Sequence, residues 1–98
     1  MNIVYSPEAE QSKRTIIRKH NGIDVYFDRL EERICLNPNT AKKERLVIDG
    51  HPVAVYTQGI TTEIFSGNVR DTYLRIELSY GIDASKERVV ALLVKLHF

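Results

Sequence analysis

Apolar positions in this chain recur at three- and four-residue spacing in its first part and alternate in its second, so helices should precede a sheet. Asn2 to Tyr5 reads as a short strand with Ile3 and Val4 as its apolar body. Ser6-Pro7-Glu8 then predicts a helix start: a hydroxyl to accept from the first free amides, a proline at the first helical position, and an acid at the positive end of the dipole. That helix should run to about Lys19 on a thin apolar side of Ala9, Ile16 and Ile17, with Lys13, Arg14, Arg18 and Lys19 making its last turns basic. His20-Asn21-Gly22 should end it by supplying a left-handed residue. Asp24 is expected to cap a second helix, with Val25, Tyr26, Phe27, Leu30, Ile34 and Leu36 as its stripe and Asn37-Pro38-Asn39-Thr40 as its stop. So short a link predicts an antiparallel helical hairpin whose apolar side needs a sheet to cover.

The rest of the chain supplies that sheet. Arg45 to Ile48 and Val53 to Thr57 are apolar runs joined through Asp49-Gly50-His51-Pro52, a hairpin signal because Asp-Gly accepts the positive dihedrals of a tight turn. Ile60 to Phe65 makes a third run, closed by Ser66-Gly67-Asn68. From Tyr73 to Tyr80 the alternation is strict, with Leu74, Ile76, Leu78 and Tyr80 on one face and Tyr73, Arg75, Glu77 and Ser79 on the other. Gly81 to Lys86 turns into a last run, Arg88 to Phe98, in which seven of eleven residues are aliphatic, so it should be a strand buried on most of both faces. It carries His97 and Phe98 to its end. The fold class expected is α+β: an N-terminal strand, a helical hairpin, then an antiparallel β-meander of three to five strands.

Composition narrows the function. At 98 residues the chain is expected to be one domain spanning 1–98, burying roughly 60 to 65 per cent of its unfolded surface. A net charge of +1 gives no global basic field, so any nucleic-acid site must be a local patch. The single cysteine, Cys35, suits a reducing compartment and is expected as a small packed residue in a cytoplasmic protein. No apolar run approaches a membrane span, and no membrane partner is expected. His20 and His51 fall in turns without ligand spacing, so neither a metal nor a cofactor is expected.

Four segments taken together resemble a known family. Tyr5-Ser6-Pro7-Glu8-Ala9 after the first strand, Asn37-Pro38 closing the helical hairpin, Tyr80-Gly81-Ile82-Asp83 on the penultimate strand, and Arg88-Val89-Val90 running to Leu96-His97-Phe98 are similar to the RelE/ParE superfamily of toxins from bacterial toxin-antitoxin modules. The end Leu96-His97-Phe98 looks most like the YoeB branch, whose chains finish in histidine and tyrosine; here the aromatic residue is Phe98. In register, the arginine usual on the family's penultimate strand falls at Glu77, and Arg75 is its same-face neighbour. The resemblance implies a ribosome-associated endoribonuclease that cleaves mRNA by acid-base catalysis without metal. It also implies a cognate antitoxin, with Ile17, Tyr26 or Phe27 on the helical hairpin as its landing points or as ordinary core.

RNA cleavage of this kind requires deprotonation of a 2′-hydroxyl, neutralisation of charge on the phosphate, and protonation of the leaving 5′-oxygen. His97 is the candidate acid or base, Arg75 and Arg70 the phosphate clamps, and Tyr73 or Phe98 the platform for a splayed base. Lys42, Lys43 and Arg45 can steer RNA or gyrase, or form a solvated loop. Each assignment has a plain rival: a solvent-tolerant histidine at a sheet end, an exposed charge set of Arg75 and Glu77, a strand-forming Tyr73. Two other functions stay open beside the nuclease, a ParE-like inhibitor of DNA gyrase and a non-catalytic protein-interaction module on the same scaffold.

Overall fold

The computed structural model describes residues 1–66 and 69–97, and their side chains except at 64–66 and 69–73. The first helix, α1 (Pro7–Lys19), begins where its residue types require, with Ser6 Oγ accepting from the Ala9 amide at 3.3 Å and Pro7 at the first position. The His20 amide closes it on the Ile16 carbonyl, and Gly22 then takes a φ of 87°. The second helix, α2 (Asp24–Leu36), has no side-chain cap. Asp24 is its first helical residue, not its cap; that position belongs to Ile23, which is fully buried and whose carbonyl accepts from the amides of Tyr26 and Phe27. Burying an isoleucine at the helix junction outweighs one capping bond of about 1 kcal/mol. The buried stripe of α2 is Phe27, Leu30 and Ile34, narrower than the spacing predicts, since Val25 and Leu36 are left exposed.

A short 3₁₀ turn (Pro38–Thr40) leads into the sheet, whose strands after the helices are β2 (Lys42–Ile48), β3 (His51–Ser66), β4 (Val69–Asp83) and β5 (Arg88–His97). Asp49 and Gly50 alone form the β2–β3 turn, with φ of 51° and 78°, as a two-residue hairpin requires. His51 and Pro52, expected in that turn, open β3. The runs Val53–Thr57 and Ile60–Phe65 are a single strand passing straight through Gln58 and Gly59. The basic run at Lys42 lies in β2, not in a loop. Strands of 15 and 16 residues at about 3.3 Å each give the β3–β4 hairpin the long dimension of the molecule, 47 Å.

The sheet has five strands in the order β1-β5-β4-β3-β2, where β1 is Asn2–Tyr5. From β2 to β5 it is the expected antiparallel meander. β1 lies parallel to β5, from Asn2 opposite Arg88 to Tyr5 opposite Ala91, so the sheet as a whole is mixed. The meander leaves the outer edge of β5 with unpaired amides and carbonyls, and β1 covers its first half.

The helices cover one face of this sheet. Leu74, Ile76, Leu78 and Tyr80 of β4, with Val89 and Val94 of β5, pack on Ala9, Ile23, Phe27, Leu30 and Ile34 in one buried cluster. Tyr80 takes its hydroxyl to the Pro38 carbonyl at 2.7 Å and receives Gln58 Nε2 at 3.0 Å, tying the end of the helical segment to the sheet. The buried residues of β5 lie on the helix side only; Val90, Leu92 and Leu93 are half-buried, and Lys95 and His97 are exposed. Its register with β4 shifts between Ser79 and Tyr80, pairing Ala91 with Tyr80 but Leu93 with Ser79, so Leu92 is an extra residue in a bulge. Ahead of it the odd residues Val89 and Ala91 face the core; beyond it Val94 and Leu96 do. Two alternating segments of opposite phase read in sequence as one continuous apolar run. Among the described residues no helix is long and apolar enough to cross a membrane.

Candidate functional site

The bulge decides what the end of β5 presents on the face the helices leave bare. His97 stands directly opposite Arg75, which stands opposite Thr61 on β3; one rung further in, Lys95, Glu77 and Gly59 form the next row. Strand alternation puts all six positions on one face of the sheet.

Glu77 joins the charged members of this group. Its Oε1 accepts from Arg75 Nε at 3.2 Å and lies 3.5 Å from His97 Nε2. Arg75 Nη1 reaches 3.5 Å from Thr61 Oγ1. The imidazole and guanidinium are about half exposed, at 50% and 47% of their side-chain area, and the carboxylate is more enclosed at 25%. A carboxylate held between a cation and an imidazole, open to solvent on a flat face, can exchange protons with a ligand while the guanidinium meets an anion.

Gly59 completes the arrangement from below. A Cβ there would stand 2.7 Å from Arg75 Nη2, 2.8 Å from Cζ and 3.0 Å from Nε, so the guanidinium lies flat on the space a side chain would fill. From the strand's other side, Arg33 Nη1 donates to the Gly59 carbonyl at 3.2 Å. The same stretch of β3, on its edge away from β4, is met by Tyr26, whose hydroxyl lies 3.4 Å from both the amide and the carbonyl of Glu63.

Of the residues expected from sequence, His97 and Arg75 come together here. Arg70 and Tyr73 lie on β4 with side chains outside those described, and Phe98 lies outside the described residues, so the second clamp and the base platform have no geometry. Lys42 shares the open face but stands opposite Thr57, four residues along β3 from Thr61, and pairs with Glu44 at 3.7 Å. A polar row connects that end of the sheet inward: Thr57 donates to Glu44 at 3.1 Å and shares a 3.0 Å hydrogen bond with the buried Ser79. Lys43 and Arg45 alternate onto the opposite face, and the Lys43 ammonium sits 5.6 Å from the Tyr56 ring centre. The basic run therefore does not converge on His97.

Phe27 is fully buried and cannot be a landing point for a partner; Tyr26 and Ile17 are half-buried against the core. Burial pushes the Cys35 thiol up, away from the thiolate a nucleophile needs. An opening of about 270 Å³ lies away from His97 between Ser6, Glu8, Val47, Ile48, Asp49 and Leu92.

Glu77, Gly59 and Lys95 are the residues that sequence reasoning missed as site members. Glu77 carried a signal, being two residues from Arg75 in a strictly alternating strand. Gly59 carried one too, a glycine inside an apolar strand pattern, which marks a close approach. No protein-family model matches the chain, and no curated protein and no solved structure matches it significantly.

Proposed function

We propose that this chain is a metal-independent endoribonuclease of the toxin kind, cutting ribosome-bound mRNA in the cytoplasm and held in check by a cognate antitoxin. The observation that carries the reading is the sharing of Glu77 Oε1 between Arg75 Nε at 3.2 Å and His97 Nε2 at 3.5 Å on an uncovered sheet face. Carboxylate, imidazole and guanidinium are the three groups that cleavage through a 2′-hydroxyl needs. Glu77 takes the 2′-hydroxyl proton as the 2′-oxygen bonds to phosphorus. Arg75, its guanidinium about half exposed beside Glu77, neutralises the charge that builds on the non-bridging oxygens. His97 in its protonated form gives a proton to the 5′-oxygen as that bond breaks. The products are a 2′,3′-cyclic phosphate and a 5′-hydroxyl, and the protons balance within this set of groups. The family resemblance of the terminal Leu96-His97-Phe98 supports the same reading and is the source of the ribosome and antitoxin as partners.

The test is cleavage of RNA and its 2′-deoxy counterpart, alongside bulk translation after induced expression, for the native chain, His97→Ala, Arg75→Ala and Glu77→Gln. The expected result is cleavage of RNA alone, with each substitution lowering the rate by about 10²-fold or more. Growth arrest that survives all three substitutions with translation still running would replace the nuclease by the gyrase inhibitor. Absence of both arrest and cleavage would leave an interaction module.

A further inference from the structure

We infer that Gly59 is a positioning residue for Arg75: its missing side chain is the seat on which the guanidinium is held at the angle that lets Nε meet Glu77 and Nη1 reach Thr61, with about half of the side chain open to a phosphate. The inference rests on the nuclease reading for its catalytic consequence, but the seat is a matter of geometry. Arg75 and Thr61 are direct cross-strand partners, and Gly59 is the partner of Glu77. The guanidinium that ends on the Glu77 carboxylate, two residues along the same strand, leans across onto β3 and lies over position 59. There the distances to an added Cβ, 2.7 to 3.0 Å, fall below van der Waals contact for three of its atoms.

The strand cannot yield in place of the arginine. β3 is paired with β4 through this stretch, and the Gly59 carbonyl receives Arg33 Nη1 at 3.2 Å, so its backbone is held from both edges. The guanidinium is the free end of a long side chain, 47% exposed, and is what moves. Gly59 does not have a positive φ, which only Asp49, Glu87, Gly22 and Gly50 show among the described residues, so alanine fits its backbone. Glycine is there for the space above it.

The experiment compares Gly59→Ala with Gly81→Ala, a control in the same sheet whose added Cβ would meet only Leu92 Cδ1 at 4.0 Å. Two readouts are taken: the Nε–Hε resonance of Arg75, assigned by its loss in Arg75→Ala, and kcat and KM on an RNA oligonucleotide. Gly59→Ala should melt at or above the native temperature, since alanine suits a strand at least as well as glycine. It should move the Arg75 resonance and lower kcat by about ten- to a hundredfold, the scale of misplacing a catalytic group by about 1 Å. Gly81→Ala should do neither, and Gly59→Ala combined with Arg75→Ala should be no slower than Arg75→Ala alone. An unmoved resonance in Gly59→Ala, or a kcat equal to that of Gly81→Ala in an active chain, overturns the seat. If the native chain cleaves no RNA, the nuclease reading falls and the seat stands or falls on the resonance.

Discussion

Replacing Glu31 by alanine should be among the most costly changes that leave the apolar core intact. Glu31 Oε2 accepts both the Tyr5 hydroxyl at 2.7 Å and the Lys13 ammonium at 2.6 Å, joining β1, α1 and α2 at one atom. The same ammonium stands 4.7 Å from the Tyr5 ring centre and 5.5 Å from that of Phe27. Lys13 and Glu31 keep only 22% and 19% of their side-chain area exposed, so the group lies nearer the buried than the surface limit. Breaking a buried pair costs about 3–5 kcal/mol and an exposed one about 0–1 kcal/mol, which places Glu31→Ala near 2–3 kcal/mol. At this size each kcal/mol shifts Tm by about 4–8 °C, so a fall of about 10–20 °C is expected. Glu31→Gln keeps an acceptor for Tyr5 and should cost about half as much. Lys13→Met with Glu31→Leu, which removes both charges but also the Tyr5 acceptor, should cost clearly less than the sum of its singles, with about 1–3 kcal/mol remaining for the orphaned hydroxyl. Urea unfolding at constant m-value reads all of these. A loss below about 0.5 kcal/mol for Glu31→Ala, or a double variant as unstable as the sum of its singles, would show that the group is solvated like a surface pair.

Two further outcomes follow from the same kind of reasoning. Thr62 is fully buried on the helix-covered face with no hydrogen-bond partner for Oγ1 among the described residues, so Thr62→Val should stabilise the chain by about 1 kcal/mol, and a rise in urea midpoint would register it. Tyr5 and Tyr80 hold their phenolic protons above the ordinary range, Tyr5 through burial and then Glu31, Tyr80 through burial. Unfolded tyrosine ionises near pH 10, so their contribution is fully present below about that pH and is lost as pH rises beyond it. Urea midpoints measured from pH 8 to 11 should fall above about pH 10, and less so in Tyr5→Phe.

Local chemistry made much of this fold legible. Ser6, Pro7 and Gly22 bound the first helix because capping and left-handed turns are short-range, and Asp49-Gly50 specifies its hairpin for the same reason. The faces of β4 follow from alternation, with Leu74 to Tyr80 buried as the pattern requires. Whatever depends on distant partners was hidden. Nothing within Asn2 to Tyr5 says that it lies parallel to a strand more than eighty residues later. Ser79 sits on the polar side of β4 yet is buried, where Thr57 of β3 satisfies its hydroxyl. Tyr26 was readable as an apolar stripe residue but not as a cover for the amide and carbonyl of Glu63. In the site, His97 and Arg75 were legible as residue types, whereas Glu77 as the link between them needed the register of β4 against β5.

The extra residue at Leu92 also bears on how such a strand can vary in length. In a regular strand, adding or losing one residue turns every later side chain to the opposite face. Here the kink has already absorbed one residue: a chain without Leu92 would pair Ser79 with Leu93 and Leu78 with Val94 in unbroken alternation, and would still offer Leu96 to the helices and His97 to the bare face. Descendants of this sequence can therefore lose a residue at that point while the ionisable end of the strand keeps its outlook, which makes the middle of a core strand a place where a deletion is forgiven.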